Sequence, residues 1–175
     1  MSTREPIKAI LTGGNPRSLG RTEEVVKLVL GNRTRLNELY GCLLEDDEII
    51  RMRASDAFEK VCRQQPTWVQ AYVPKLLTEV ASIDQASVQW HLAQILGEIE
   101  LTPKQREAAC RILKRNLAEK KDWIVVNYSM ETLAKLSQDD SQLRTEMLVI
   151  LKGLLSDPHR SIVVRAHKLI ASLEV

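Results

Sequence analysis

Apolar side chains in this chain recur at helical spacing, and the helices themselves recur. Ile50, Val88, Val125 and Ile162 head four segments offset by 38, 37 and 37 residues. Behind them stand Ala54/Leu92/Ser129/Ala166, then Phe58/Leu96/Leu133/Ile170, then Val61/Ile99/Leu136/Leu173. In each row these positions fall at i, i+4, i+8 and i+11, one stripe along one helix face. The second column is small in three of its four rows, as a close helix crossing requires. Other stripes alternate with these: Trp68, Val69, Val73, Leu76, Leu77 and Val80; Ala109, Ile112, Leu113 and Leu117; and Leu143, Met147, Ile150, Leu151, Leu154 and Leu155.

Boundary chemistry fits the same periods. Thr102-Pro103-Lys104-Gln105 reads as a capping box with proline in the first turn, and Pro66 opens its helix likewise. Asp47, Asp84, Asp122 and Asp157 precede the aligned segments as N-caps. Helices are predicted over 22–30, 33–44, 47–64, 67–81, 85–99, 103–119, 122–137, 141–155 and 159–173, joined by short turns. Each pair carries an apolar stripe that only the next pair can bury. Full burial of one Leu or Ile is worth roughly 1.5–3 kcal/mol, so the columns dominate stability.

Two helices per unit, a period near 37 and an Asp cap ahead of a V-x-x-x-A-x-x-x-L second helix resemble the HEAT-repeat family of armadillo-like solenoids. The resemblance covers about residues 33–173. It implies an all-α fold, a right-handed α-α superhelix of about four HEAT-like helix pairs, with the second helices lining a concave face. Residues 1–21 are expected to form an N-terminal arm or cap, and 22–175 the solenoid. Such solenoids serve scaffolds, transport receptors, lyase-type chaperones of pigment proteins and some DNA-repair enzymes, so the fold alone does not choose a function.

Composition narrows the choice little. The 175 residues are 44% hydrophobic and 27% charged, with seven aromatic residues and seven glycines, which favours helices over strands. A net charge of +2 is no general argument for a nucleic-acid partner. Cys42, Cys62 and Cys110 form no CxxC and have no His at metal-ligand spacing, so they read as reduced thiols of a cytoplasmic protein. With no apolar leader or run of bilayer length, no membrane association is expected.

Helical-wheel positions place Met52, Asp56, Glu59 and Arg63, then Trp90, Gln94 and Gly97, then Asn127, Glu131 and Ala134, then Val164, Lys168 and Ala171 opposite the buried stripe. Met52, Trp90 and Val164 are apolar where a solvated face would carry charge. Beside them runs the column Arg53/His91/Tyr128/Arg165. A floor of Trp and Met edged by Arg, His and Tyr suits a protein or peptide segment, so Met52, Arg53, Trp90, His91, Tyr128 and Arg165 are the expected partner-binding residues. The competing reading packs Trp90 and Tyr128 between repeats.

A second candidate is the basic stripe Lys104, Arg111 and Arg115, within one angular sector of its helix, able to meet phosphates or to be a plain solvated face. Resemblance to alkylpurine DNA glycosylases, through Trp90 and Asp56 with Arg53 and Arg165 nearby, is weakened by Gln94, where a carboxylate would be needed. Gly13-Gly14 with Arg17 and Arg21, ahead of a helix start at Thr22, is read either as a backbone phosphate site or as part of a capping arm. No catalytic set, metal site or cofactor motif is found: His91, His159 and His167 make no i, i+4 pair with a carboxylate partner. The expected function is therefore a protein–protein interaction module, an adaptor or scaffold without catalysis. The alternatives are a nucleic-acid-binding, glycosylase-like solenoid and a bilin-lyase-like chaperone.

Overall fold

A computed structural model describes residues 5–174, and all regular structure among them is helical. The chain divides into two compact units, Met1–Glu100 and Leu101–Val175. In the first, α1 (Ile7–Leu11) and α2 (Thr22–Gly31) lead through a 3-10 turn (Arg33–Arg35) to α3 (Leu36–Cys42) and the long α4 (Glu48–Gln64). Then come α5 (Pro66–Val69), a 3-10 turn (Gln70–Tyr72), α6 (Val73–Leu76), a second 3-10 turn (Val80–Ser82) and α7 (Ala86–Glu98). The second unit holds α8 (Pro103–Glu119), α9 (Trp123–Leu136), α10 (Ser141–Leu154) and α11 (Arg160–Leu173). No helix among the described residues is long and apolar enough to cross a membrane.

The columns are the core. In the first unit α4 packs on α7, and Ile50, Ala54, Phe58, Val61, Val88, Leu92 and Leu96 are buried at 2% exposure or less. In the second, α9 packs on α8 and α11, with Val125, Ser129, Leu133, Ile162 and Ala166 buried. Ser129 fits there because its hydroxyl accepts from Asn116 Nδ2 at 3.2 Å. Leu136 and Ile170 stay partly exposed.

Asp47 Oδ1 accepts from the amides of Ile49 and Ile50 at 2.8 and 3.2 Å, and Asp122 Oδ1 from those of Ile124 and Val125 at the same two distances. The Thr102/Gln105 capping box is complete. Two expected caps differ. At α7 the N-cap is Gln85 rather than Asp84, and its side chain bridges outward, accepting from Arg51 Nε and donating to Glu48 O, each at 2.8 Å. At α11 the N-cap is His159, and Asp157 caps the preceding turn instead, accepting the His159 amide at 2.9 Å.

The stretch predicted as one helix over 67–81 is broken. Pro74 has no N–H to offer Gln70 O and its ring crowds that carbonyl, so the helix restarts in short pieces linked by 3-10 turns. Val69, Val73, Leu76 and Val80 nevertheless stay buried, so the stripe outlives the helix. Ahead of α2 the expected arm contains α1, whose Ile7, Ile10 and Leu11 are buried where it packs on α2, α3 and α4.

Candidate interaction surfaces

Arg53, expected at a groove edge, is 1% exposed and has no room for a partner. Its Nη1 donates to Leu11 O and Gly13 O, both at 2.6 Å, its Nη2 to Asn15 O at 2.9 Å and its Nε to Ser18 O at 3.0 Å. Positive φ at Gly13 (75°), Gly14 (72°) and Gly20 (54°) lets the loop curl round the guanidinium. The loop thus turns carbonyls inward on a cation, the reverse of a phosphate cradle. Of the two arginines expected beside that site, Arg17 and Arg21, Arg21 is held by Glu5 and Glu24.

His91 is also removed from the surface, at 7% exposure. Trp90 Nε1 donates to its Nε2 at 3.1 Å, which leaves the ring proton on Nδ1, 2.9 Å from Ser55 Oγ. Burial lowers its pKa to about 4, against the pull of Asp56, whose Oδ1 lies 3.7 Å from Nε2. Asp56 and Glu59, expected to face outward, are buried: Asp56 beside Lys60 at 2.9 Å, Glu59 against Arg63 at 2.7 Å. Ser55, His91 and Asp56 thus come together from two helices, a grouping that their positions in sequence do not announce. The Ser55 hydroxyl is buried and donates to Met52 O at 2.8 Å, so it is no exposed nucleophile.

Of the residues expected to face outward on α4 and α7, Met52, Trp90, Gln94 and Gly97 are half-buried and Arg63 is exposed. Met52 and Trp90 hold equivalent positions on these packed helices. In the second unit Tyr128 is half-buried on α9, and Arg165 of α11 is half-buried in an ion pair with Glu131. Asn127, predicted outward, is buried, donating to Trp123 O at 2.9 Å and Ser161 Oγ at 3.3 Å. Trp123 and Val164 are exposed there, at 46% and 59%. Trp123 is the first residue of α9, where no preceding turn of the helix covers it.

Lys104, Arg111 and Arg115 are all exposed on α8, one to three turns apart along one side. Part of that charge is already answered, for Arg111 pairs with Glu107 at 2.5 Å. Nearby, Lys114 pairs with Glu146 of α10. The described residues include no group of three His, Cys, Asp or Glu placed to hold a metal ion.

A cleft of about 320 Å³ between α3 and the broken segment α5–α6 has no counterpart among the expected sites. Arg33 stacks its guanidinium 5.6 Å from the Trp68 ring centre, and Lys75 Nζ lies 5.5 Å from that of Tyr40. Tyr40, Phe58 and Tyr72 meet ring to ring behind it, 4.9–6.0 Å between centres. The Tyr40 hydroxyl donates to Glu79 at 3.0 Å.

Set against known proteins, residues 15–172 match the family model of the HEAT repeat domain. No curated protein matches the chain.

Proposed function

Because the chain belongs to the HEAT-repeat family, we propose that it is a protein-interaction module that holds a partner segment on the outer faces of its second helices. In the first unit the contacts are Met52 and Trp90 from α4 and α7; the second unit offers Tyr128 and Arg165 from α9 and α11 as a surface of its own. The observation that carries this reading is the state of Trp90. Its ring is half-exposed while its indole N–H is tied to a neutral, buried His91, so the aromatic face is fixed in place before any partner arrives. His91 supports that surface from behind, and Arg53 holds the loop at 11–18 instead of touching the partner.

The test is selection of peptides from a displayed random library on the immobilised chain, followed by titration against Trp90→Ala. Loss of roughly 30-fold or more in affinity is the hot-spot result. Selected peptides that ignore Trp90→Ala, Met52→Ser and Tyr128→Ala alike would remove these faces from the account.

A further inference from the structure

The cleft between α3 and α5–α6 differs in kind from its counterpart in the second unit. Between α8 and α10, the cleft flanked by Lys114 and Glu146 closes its charge internally, since these two pair with each other. In the first unit, Arg33 and Lys75 have no carboxylate within 4.0 Å among the described residues. Each is parked over an aromatic ring instead. Two acids on neighbouring turns are occupied: Glu79 accepts from the Tyr40 hydroxyl, and Glu38 binds Arg35 and the Ile7 amide.

Aromatic side chains are also concentrated here. The chain has three Trp, three Tyr and one Phe, and Trp68, Tyr72, Tyr40 and Phe58 all stand in or directly behind this cleft. Trp68 and Tyr72 line the cleft and are half-buried. A guanidinium stacked on an indole keeps its N–H edge free, the geometry in which arginine meets a carboxylate with two parallel hydrogen bonds.

We propose that this cleft is a second binding site, taking an acidic peptide segment. An Asp or Glu carboxylate of that segment engages Arg33 and Lys75, and a neighbouring apolar side chain lies against Trp68 and Tyr72. Two cations answer one carboxylate, whereas a nucleic-acid backbone would bring a row of phosphates up to Glu79 as well. The volume, about 320 Å³, has room for a side chain or two and not for a folded domain. The site is separate from the Trp90 surface and does not depend on it.

The test uses the full chain carrying Trp90→Phe and Trp123→Phe, so that Trp68 is the single fluorescent tryptophan. It is titrated with capped hexapeptides holding Asp or Glu beside Phe, Tyr or Leu, each matched with its Asn or Gln counterpart. The expected result is a saturable change in Trp68 emission with acidic members and binding about tenfold weaker for the amides. Arg33→Gln and Lys75→Gln, both exposed and so harmless to folding, should each weaken binding by about fivefold or more, while Trp90→Ala in an otherwise native chain leaves it unchanged. No saturable binding, equal binding of acid and amide, or indifference to Arg33→Gln overturns the proposal. So does single-stranded DNA that occupies the cleft more tightly than every peptide.

Discussion

Gly20 stands directly against the guanidinium of Arg53: a Cβ at Gly20 would lie 3.1 Å from Arg53 Cζ, on a backbone with φ of 54°. Gly13 has a similar positive φ but open space where its Cβ would be. Gly20→Ala should therefore destabilise by about 1–3 kcal/mol and Gly13→Ala by about 1. Arg53→Met should cost more than either, about 3 kcal/mol or above, because the carbonyls that the guanidinium satisfies lose their donors together. Urea unfolding of the three variants checks the order. Equal effects of the two glycine changes would show that the close approach carries no weight.

His91 makes stability depend on pH in one direction. In the unfolded chain it binds a proton near 6.5, in the folded chain only near 4. Between these values the unfolded state holds more protons, so stability falls as pH drops through that window, by roughly 3 kcal/mol at most. The groups facing it are Asp56, Lys60, Ser55 and Trp90. His91→Gln should flatten the part of the pH–stability curve between about 6.5 and 4 that native and variant chains do not share. Parallel curves would mean that His91 is protonated in the folded state.

Leu133 and Glu131 sit two residues apart on α9 with opposite fates, one buried at 0% exposure and one exposed in an ion pair with Arg165. Leu133→Asp should cost several kcal/mol by burying an unpaired charge. Glu131→Ala should cost about 0.5 kcal/mol or less. Comparable midpoints in denaturant would put the repeat register in error.

The three cysteines are free thiols. Burial raises Cys42 to about 11 and Cys62 to about 12, while Cys110 is only half-buried. A thiol reagent at neutral pH should label Cys110 first and reach all three only after denaturation. Early labelling of Cys62 would contradict its place in the core.

Binding through Lys104, Arg111 and Arg115 would announce itself by salt, each phosphate contact adding about 0.9 to the log–log slope on duplex DNA. With Arg111 already paired to Glu107, the expected outcome is weak, non-specific affinity at physiological salt. Tight duplex binding that vanishes when the three are neutralised, yet survives Trp90→Ala, would displace the interaction module in favour of a nucleic-acid reader.

The columns from Ile50 to Leu173 could be read in advance because burial on a helix repeats with the helix, and nothing distant has to be known. Arg53 could not. A helical wheel reports which way a side chain leaves α4, not that Leu11, 42 positions earlier, returns to meet it. Asp56, Glu59 and His91 fail the same way: α4 is packed by α2, α3 and α7, which leaves it little outer face. Trp90 kept its half-exposed place because its shoulder of α7 is not covered in this manner. The cleft at Arg33 was invisible for another reason. One wall of it, with Trp68, Tyr72 and Lys75, comes from a stretch whose apolar stripe reads as a regular helix although Pro74 breaks it.

That break has a dynamic consequence. Residues 66–82 hold few consecutive helical hydrogen bonds, so their backbone amides have little cooperative protection. Deuterium should enter there well before it enters α4 or α7, through openings that leave the rest of the first unit intact. The wall carrying Trp68 and Tyr72 is then the cheapest part of that unit to loosen, and an occupant of the cleft would slow its exchange by clamping it shut.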